Sequence, residues 1–521
     1  MNRNYTRWPC VEGYPDRQSY RAGDVVELRC SSRSNNVTAS VARVGRERVE
    51  VWRRGGIQIG DHTEPDDAYA RGCGWPVAFT LDIDPAWPSG FYEVTFRADD
   101  EVGEAATSEA FFVVRPTAPS SGPPSADAIL VLATNTYNAY NAWGGKCLYS
   151  GAVKVSFDRP LERGYIRRRF ALDDADYDGR VASLPEEPDE EHNQLQQYLA
   201  EFEYPLWCAS GSWHNWERRF VRWAENEGMT LDYAINSDLE FHPEVLDDQQ
   251  LMLSVGHDEY WSWGMRDRAD AFVENGGSWA IFSGNTCFWQ VRYEDDGRTM
   301  VAFKAKAESR DPVAGTGDHR LLTSLWSLPS IGRPEAQTTG LSFSRGGYAR
   351  VGQATPRSSG GYSIHRPDHP VFADTDLRYG DVLGGPSRIV GYEVDGCELT
   401  TVNGNPVPTY QDGTPAGLEV LASAPARLIS ITPDRCEAPR ALWADLQPPG
   451  DLEAMAGWLF GSATPENIAR VAHNHAVMAT FTKGKGRVFN AGTTDWCYGL
   501  DNDPIVQHVT RNVIRWLTSS D

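Results

Sequence analysis

Three short stretches of this chain concentrate side chains that do chemistry, and each follows an apolar run. Gly256-His257-Asp258-Glu259-Tyr260-Trp261-Ser262 comes after Leu251–Val255, and Gly284-Asn285-Thr286-Cys287-Phe288-Trp289 after Ser278–Ser283. The third, residues 134–149, follows Ala128–Ala133 and carries Tyr137, Tyr140, Asn141 and Tyr149. Imidazole, carboxylate, amide and phenol are the groups that move protons, hold developing charge and ligate metals. His257 and Glu259, with one residue between them, could serve as an acid/base pair without any metal. A plainer reading stands beside this one. Asp258 and Ser262 could cap the helix that follows, Asn285 could close a turn, and the aromatic side chains could pack with their polar tips bonded locally.

What decides between these readings is the scaffold. An unbroken apolar run is the mark of a strand buried on both faces, and the three runs alternate with helical patterns. Trp216, Phe220 and Trp223, stopped by Gly228, form one such pattern, and Leu195, Leu199 and Phe202 another. Ser262 as N-cap, then Met265, Ala269, Phe272 and Val273 on one face, with Gly276-Gly277 as terminator, form a third. Leu231–Ile235 is a further strand, Gly486–Ala491 another, and Ile505, Val509, Val513, Trp516 and Leu517 mark a closing amphipathic helix. Alternation of this kind predicts a doubly wound, mostly parallel sheet over residues 127–521, with a β-rich insertion at about 310–440. In such a sheet ligands bind beyond the carboxyl ends of the strands, where all three stretches lie.

The N-terminal region has another rhythm. Short alternating runs at Val25–Cys30, Val49–Trp52, Phe79–Ile83, Phe91–Phe96 and Phe111–Val114 predict an immunoglobulin-like β-sandwich over residues 1–115. PTAPSSGPPSA at 116–126 reads as a linker.

Composition narrows the partners. Acidic residues number 72 against 49 basic, for a formal charge of −23, which repels nucleic acid and acidic membrane surfaces. No stretch reaches the ~20 apolar residues that span a bilayer, and MNRNYTRWPC lacks a signal-peptide core. The nine cysteines include no C-x-x-C, as expected for reduced, buried thiols and a cytoplasmic protein. Cys287 is more often a small buried apolar residue than a nucleophile. His473 and His475 could share a strand face and bind a divalent metal, although an exposed or capped pair is the commoner outcome. The acidic run Glu186–Glu191 reads as a solvated loop.

The stretch 135–149, Val155-Ser-Phe-Asp-Arg-Pro160, Gly256–Ser262 and Ser283-Gly-Asn285 together resemble the family of the N,N-dimethylformamidase large (beta) subunit. H-x-E-Y after an apolar strand is the most specific piece, and the likeness covers most of 127–521. The resemblance implies a class I glutamine amidotransferase-like fold and an iron-dependent hydrolase of the C–N bond of a small amide. It also implies a small partner subunit, and homo-oligomers are compatible with it. Carried over, Glu259 matches the carboxylate ligand of a ferric ion, and Tyr149 with Tyr140, or Tyr137 in its place, the two phenolates. His257 and Asn285 match pocket residues, His257 to take a proton or orient the nucleophile and Asn285 to hold the developing oxyanion. Two phenolates and a carboxylate are hard donors with three negative charges, suited to a trivalent hard cation. With a free-tyrosine pKa of ~10, only a strongly charged ion keeps both phenols deprotonated at neutral pH. The fold does not bring a cysteine nucleophile, since the turn after Val255 reads Gly-His-Asp-Glu. The rival class is a non-catalytic binding or scaffolding protein on the same fold. Colour separates the two, because a ferric phenolate absorbs visible light.

Overall fold

The computed structural model describes residues 9–101, 106–116, 126–168, 204–349, 359–429 and 451–519. By packing, the described residues within 1–178, 199–249 and 292–302 form one unit, and those within 250–291 and 303–521 a second. The expected linker falls almost wholly outside the described residues, as do the helix expected at 195–202 and the acidic run 186–191.

In the first unit, the strands before residue 116 are β1 (Val11–Pro15), β2 (Ser19–Tyr20), β3 (Val25–Ser32), β4 (Val37–Val44), β5 (Arg48–Ile57), β6 (Val77–Asp82), β7 (Gly90–Ala98) and β8 (Thr107–Val114). They form a three-stranded sheet, β1-β3-β6, and a five-stranded sheet, β2-β8-β7-β4-β5. Every pairing is antiparallel except the short β2–β8 contact. Alternation places the side chains: Val26, Leu28, Cys30, Phe79 and Leu81 point inward, while Val25, Thr80 and Asp82 are exposed. The inward set shares one apolar core with Val41, Val94, Phe96 and Phe112 of the other sheet. Each large side chain so buried contributes roughly 1.5–3 kcal/mol. Strand β4 escapes a reading by alternation, since nearly all of its small residues are buried.

The same unit holds β9 (Ala128–Leu132) and β10 (Leu231–Ile235), paired in parallel with Leu130 opposite Tyr233. Both are buried along their whole length, which is why β9 reads as an unbroken apolar run. Helix α1 (Thr134–Tyr140) starts directly beyond β9. Helix α2 (Glu217–Asn226) buries Phe220, Val221 and Trp223, the face its spacing predicts.

The second unit contains β11 (Leu251–His257), α3 (Trp263–Glu274), β12 (Ser278–Gly284), β13 (Ser342–Tyr348), β14 (Tyr362–Ile364), β15 (Val382–Leu383), β16 (Glu393–Gly396), β17 (Glu419–Ala426), α4 (Asp451–Phe460), β18 (Asn474–Lys483), β19 (Gly486–Asn490) and α5 (Pro504–Thr518). Its main sheet runs β11-β12-β19-β18-β17-β14-β15. Only β11, β12 and β19 are mutually parallel; every pairing from β19 onward is antiparallel. The sheet is thus mixed, where sequence periodicity predicts a mostly parallel one. The reversal is a tight hairpin between β18 and β19. Gly484 at its tip has φ 59°, and a Cβ there would lie 2.5 Å from the backbone of Glu274, so glycine alone fits. Strands β14, β15 and β17, from the segment expected to be an insertion, lengthen this same sheet, while β13 and β16 pair with each other.

Ser262 caps α3 by accepting a hydrogen bond from the Met265 amide (3.2 Å), and Met265, Ala269, Phe272 and Val273 are its buried face. Asp503 caps α5, which buries Val506, Val509, Val513 and Leu517. None of the described cysteines forms a disulfide, and all of them are buried. Among the described residues no helix is long and apolar enough to cross a membrane.

Candidate active site

In the second unit, parallel pairing of β11 with β12 sets His257 opposite Gly284 at the strand ends. A Cβ at residue 284 would meet the Glu393 carbonyl and the Thr494 amide, both at 2.5 Å, so the absence of a side chain lets β16 approach. That approach delivers a group from far along the sequence. The Glu393 carboxylate reaches His257 Nε2 at 2.7 Å, and Glu259 stands 3.4 Å from the same nitrogen. On the other side of the ring, Nδ1 lies 3.2 Å from the Tyr392 hydroxyl. The short contact to a carboxylate assigns the proton to Nε2, leaving Nδ1 to accept from Tyr392. His257, Glu259, Glu393 and Asn285 are all buried.

The Asn285 amide NH2 donates to Glu393 Oε2 (3.1 Å) and faces His257 Nε2 at 3.3 Å, where two donors meet and no bond forms. Among the described residues its carbonyl oxygen Oδ1, a buried atom, has no hydrogen-bond partner, so this end of the amide is left to accept rather than donate. Around these groups stand Tyr348, at the end of β13, and Asp451, at the start of α4. Burial pushes Asp451 up to about 6, opposed by a hydrogen bond from Tyr348 and reinforced by Glu393 and Glu453. The Tyr348 phenol is held well above its usual value by burial and then by Asp451, Glu393, Tyr392 and Glu259.

The turn beyond β12 is strained and pinned. Asn285 (φ 51°) and Cys287 (φ 59°) occupy the left-handed region, which costs a non-glycine residue about 1 kcal/mol or more. The amides of Cys287 and Phe288 donate to the carbonyls of Asp258 (2.8 Å) and Glu259 (3.0 Å), and the Thr286 amide to Asp395 Oδ2 (3.0 Å). Asp395 is fully buried, and burial pushes it up to about 8. An unfolded aspartate titrates at ~3.9, so the folded chain holds this proton more tightly. The stability it contributes is full below about pH 4 and is lost as pH rises toward 8. Asp395→Asn keeps the acceptor for Thr286 and removes the titration. Its loss of stability between about pH 5 and 8 is expected to be shallower than the wild type's by up to ~1.4 kcal/mol per pH unit. Urea midpoints across that range measure the effect, and parallel profiles would remove Asp395 from the linkage.

In the first unit, α1 and the turn after it bring Tyr140 and Tyr149 together. Their rings stack with centroids 4.3 Å apart and their hydroxyls lie 2.8 Å from each other, with Trp207 alongside. Tyr137 is engaged elsewhere, donating to Glu217 Oε1 at 2.6 Å. Arg159 fixes this segment. Its guanidinium donates to the carbonyls of Ser156 (2.9 Å), Trp143 (2.6 Å) and Asn138 (3.1 Å) and to Asn138 Oδ1 (2.9 Å).

Residues 38–510 match the family described as N,N-dimethylformamidase beta subunit-like, C-terminal. The chain belongs to that family. The match opens inside β4, so kinship with the dimethylformamidase beta subunit-like proteins takes in β4 to β8 as well as the α/β segment. No curated protein matches the chain. Among solved structures, domain 1 of VCBP3 from Branchiostoma floridae aligns over 22% of this chain and 98% of its own, at 15% identity and a TM-score of 0.15. The beta-D-glucuronidase of Dictyoglomus thermophilum aligns over 53% of this chain and 43% of its own, at 8% identity and a TM-score of 0.13.

Within the dimethylformamidase beta subunit-like match lie residues that periodicity did not single out: Glu393, Tyr392, Tyr348 and Asp451. Their signal was faint. In Gly391-Tyr-Glu-Val-Asp-Gly396 two acids flank one apolar residue, as on a strand that buries its carboxylates. Of the minor candidates, the Cys287 thiol is raised well above its usual value by burial, which makes it inert. His475 lies in β18 opposite Pro425, with His473 just before the strand. Among the described residues no group of three or more His, Cys, Asp or Glu side chains is arranged to hold a metal ion.

Proposed function

We propose that this protein hydrolyses the C–N bond of a small linear amide, on an amidotransferase-like scaffold and with a ferric ion as cofactor. The observation that carries the reading is the buried His257 imidazole held between Glu393 and Glu259, with Asn285 beside it, in a family named for an amidase. The name also supports an N,N-dimethylformamide-like substrate and a partner subunit.

Tyr140 and Tyr149 supply the phenol oxygens in this reading and Glu259 the carboxylate. Hydroxyls 2.8 Å apart have the spacing of two oxygens that share an edge around one small cation, so the tyrosine pair fits the group. Such an ion, when bound, polarises an amide carbonyl and acidifies a water. The other residues handle protons. Asn285 Oδ1 accepts a hydrogen bond from the attacking water, Glu393 holds the His257 ring in one tautomer, and His257 passes a proton to the departing amine.

The test is total metal analysis with a visible spectrum on the full chain, purified without chelator or affinity nickel, followed by a dimethylamine-release assay. Near-stoichiometric iron with a phenolate band is expected, and Glu259→Ala should lose the metal. If that variant keeps its iron, the ligand assignment is wrong. A colourless protein that takes up no iron yet releases amine would favour a metal-free acid/base enzyme built on the 2.7 Å His257–Glu393 contact. Absence of both iron uptake and turnover would favour a binding module.

A further inference from the structure

The hairpin that follows β16 in the second unit has one closed edge and one open edge. Its strands, Leu399–Val402 and Asn405–Pro408, form a sheet of two, with Leu399 opposite Pro408 and Thr401 opposite Pro406. Asn403 (φ 50°) and Gly404 (φ 84°) make the turn between them. The Thr409 amide donates to the Glu398 carbonyl (2.8 Å), so by alternation the bonded pairs fall at Thr400–Val407 and Val402–Asn405. Leu399 and Thr401 therefore turn their N–H and C=O groups away from the hairpin, as Pro406 and Pro408 do on the other side. Proline has no N–H, so the outer side of Asn405–Pro408 cannot donate at either position. The outer side of Leu399–Val402 can, and among the described residues nothing accepts from the Leu399 or Thr401 amide.

Natural edge strands are blunted by proline, charge or a bulge, and Leu399–Val402 carries none of the three. Its surroundings are apolar and exposed: Val402 to 51%, Tyr410 to 45%, and Tyr379, whose hydroxyl holds the turn through the Gly404 carbonyl (3.2 Å), to 58%. Charge says what can cover this edge. Residues 399–411 include no charged side chain, in a chain of formal charge −23. A basic partner would be steered to acids, and this stretch offers none. A second copy is different. A two-fold contact sets each group against its own likeness, so two acidic chains meet at least cost where neither presents charge.

We propose that the outer edge of Leu399–Val402 pairs antiparallel with the same strand of a second copy, joining two hairpins into a four-stranded sheet across a two-fold axis. With the axis at Thr400, Leu399 lies opposite the partner's Thr401, and both outward amides of each copy find acceptors. The inference stands apart from the amidase reading and survives its failure.

The test is sedimentation velocity of the full chain from about 1 to 200 μM. A reversible monomer–dimer equilibrium is expected, since so short an edge sits at the small end of protein–protein contacts. Thr401→Pro removes one outward donor, keeps every bond inside the hairpin, and should weaken the dimer about tenfold or more, which is ~1.4 kcal/mol. Thr400→Lys sets lysine against lysine at the axis and should weaken it too, and an equimolar mixture with Thr400→Glu should restore it. That pair of variants decides the matter if Thr401→Pro folds poorly. A monomer at every concentration, or a dimer that neither Thr401→Pro nor Thr400→Lys weakens, would overturn the interface. A mixture that stays monomeric would overturn the register centred on Thr400.

Discussion

His257→Gln is expected to lower amide hydrolysis by ~10²–10⁴ while leaving the protein about as stable as the wild type. Glutamine places an NH2 group near the position of Nε2 and keeps the donor that Glu393 requires. It carries no proton that can be exchanged at neutral pH. The substitution therefore separates holding Glu393 from moving a proton, which His257→Ala would confound by leaving two buried carboxylates facing a void. Steady-state rates on a small formamide, read beside urea midpoints, make the comparison. A variant that turns over within about threefold of the wild type would reduce His257 to a packing bridge between Glu259 and Glu393.

The second large effect is expected far along the sequence from His257. Arg159→Ala should destabilise the chain by ~3–5 kcal/mol, a large part of the ~5–15 kcal/mol that holds a typical domain together. The guanidinium satisfies the carbonyls of Asn138, Trp143 and Ser156 in the interior, and alanine leaves all three without their donor. Asn138 and Trp143 flank Tyr140, so the stacked pair with Tyr149 should loosen as well and near-UV circular dichroism should fall. Arg159→Lys should recover only part of the loss, because one ammonium cannot reach acceptors spread around a planar fork. A shift below ~0.5 kcal/mol in Arg159→Ala would mean that water replaces the guanidinium at little cost.

Much of the scaffold was legible because its causes are local. The apolar runs that became β9, β10, β11, β12 and β19 lie within a residue or two of their expected bounds, and Ser262 caps α3 as its spacing from the apolar face predicts. The placement of His257, Glu259 and Asn285 at or just beyond strand ends was legible for the same reason. Glu393 was not, because its role depends on Gly284 admitting β16 against the end of β12, a contact between segments far apart in the chain. The mixed sheet was hidden similarly. A buried strand reads alike whichever way its neighbour runs, and only the Gly484 hairpin betrays the reversal. Between Tyr137 and Tyr140, spacing could not choose; the Glu217 bond that occupies Tyr137 comes from α2, many residues on.

The place of β19 governs how the chain can fold. Ile281 of β12 hydrogen bonds alongside Asn490, almost at the other end of the second unit's sequence. During synthesis the β12 edge therefore has no parallel partner until the C-terminal hairpin has left the ribosome. Closing so distant a pairing is slow, and an apolar edge left open meanwhile invites association with other nascent chains. Refolding yield should fall as protein concentration rises, and truncations that remove β19 and α5 should leave an aggregating product instead of a smaller stable domain.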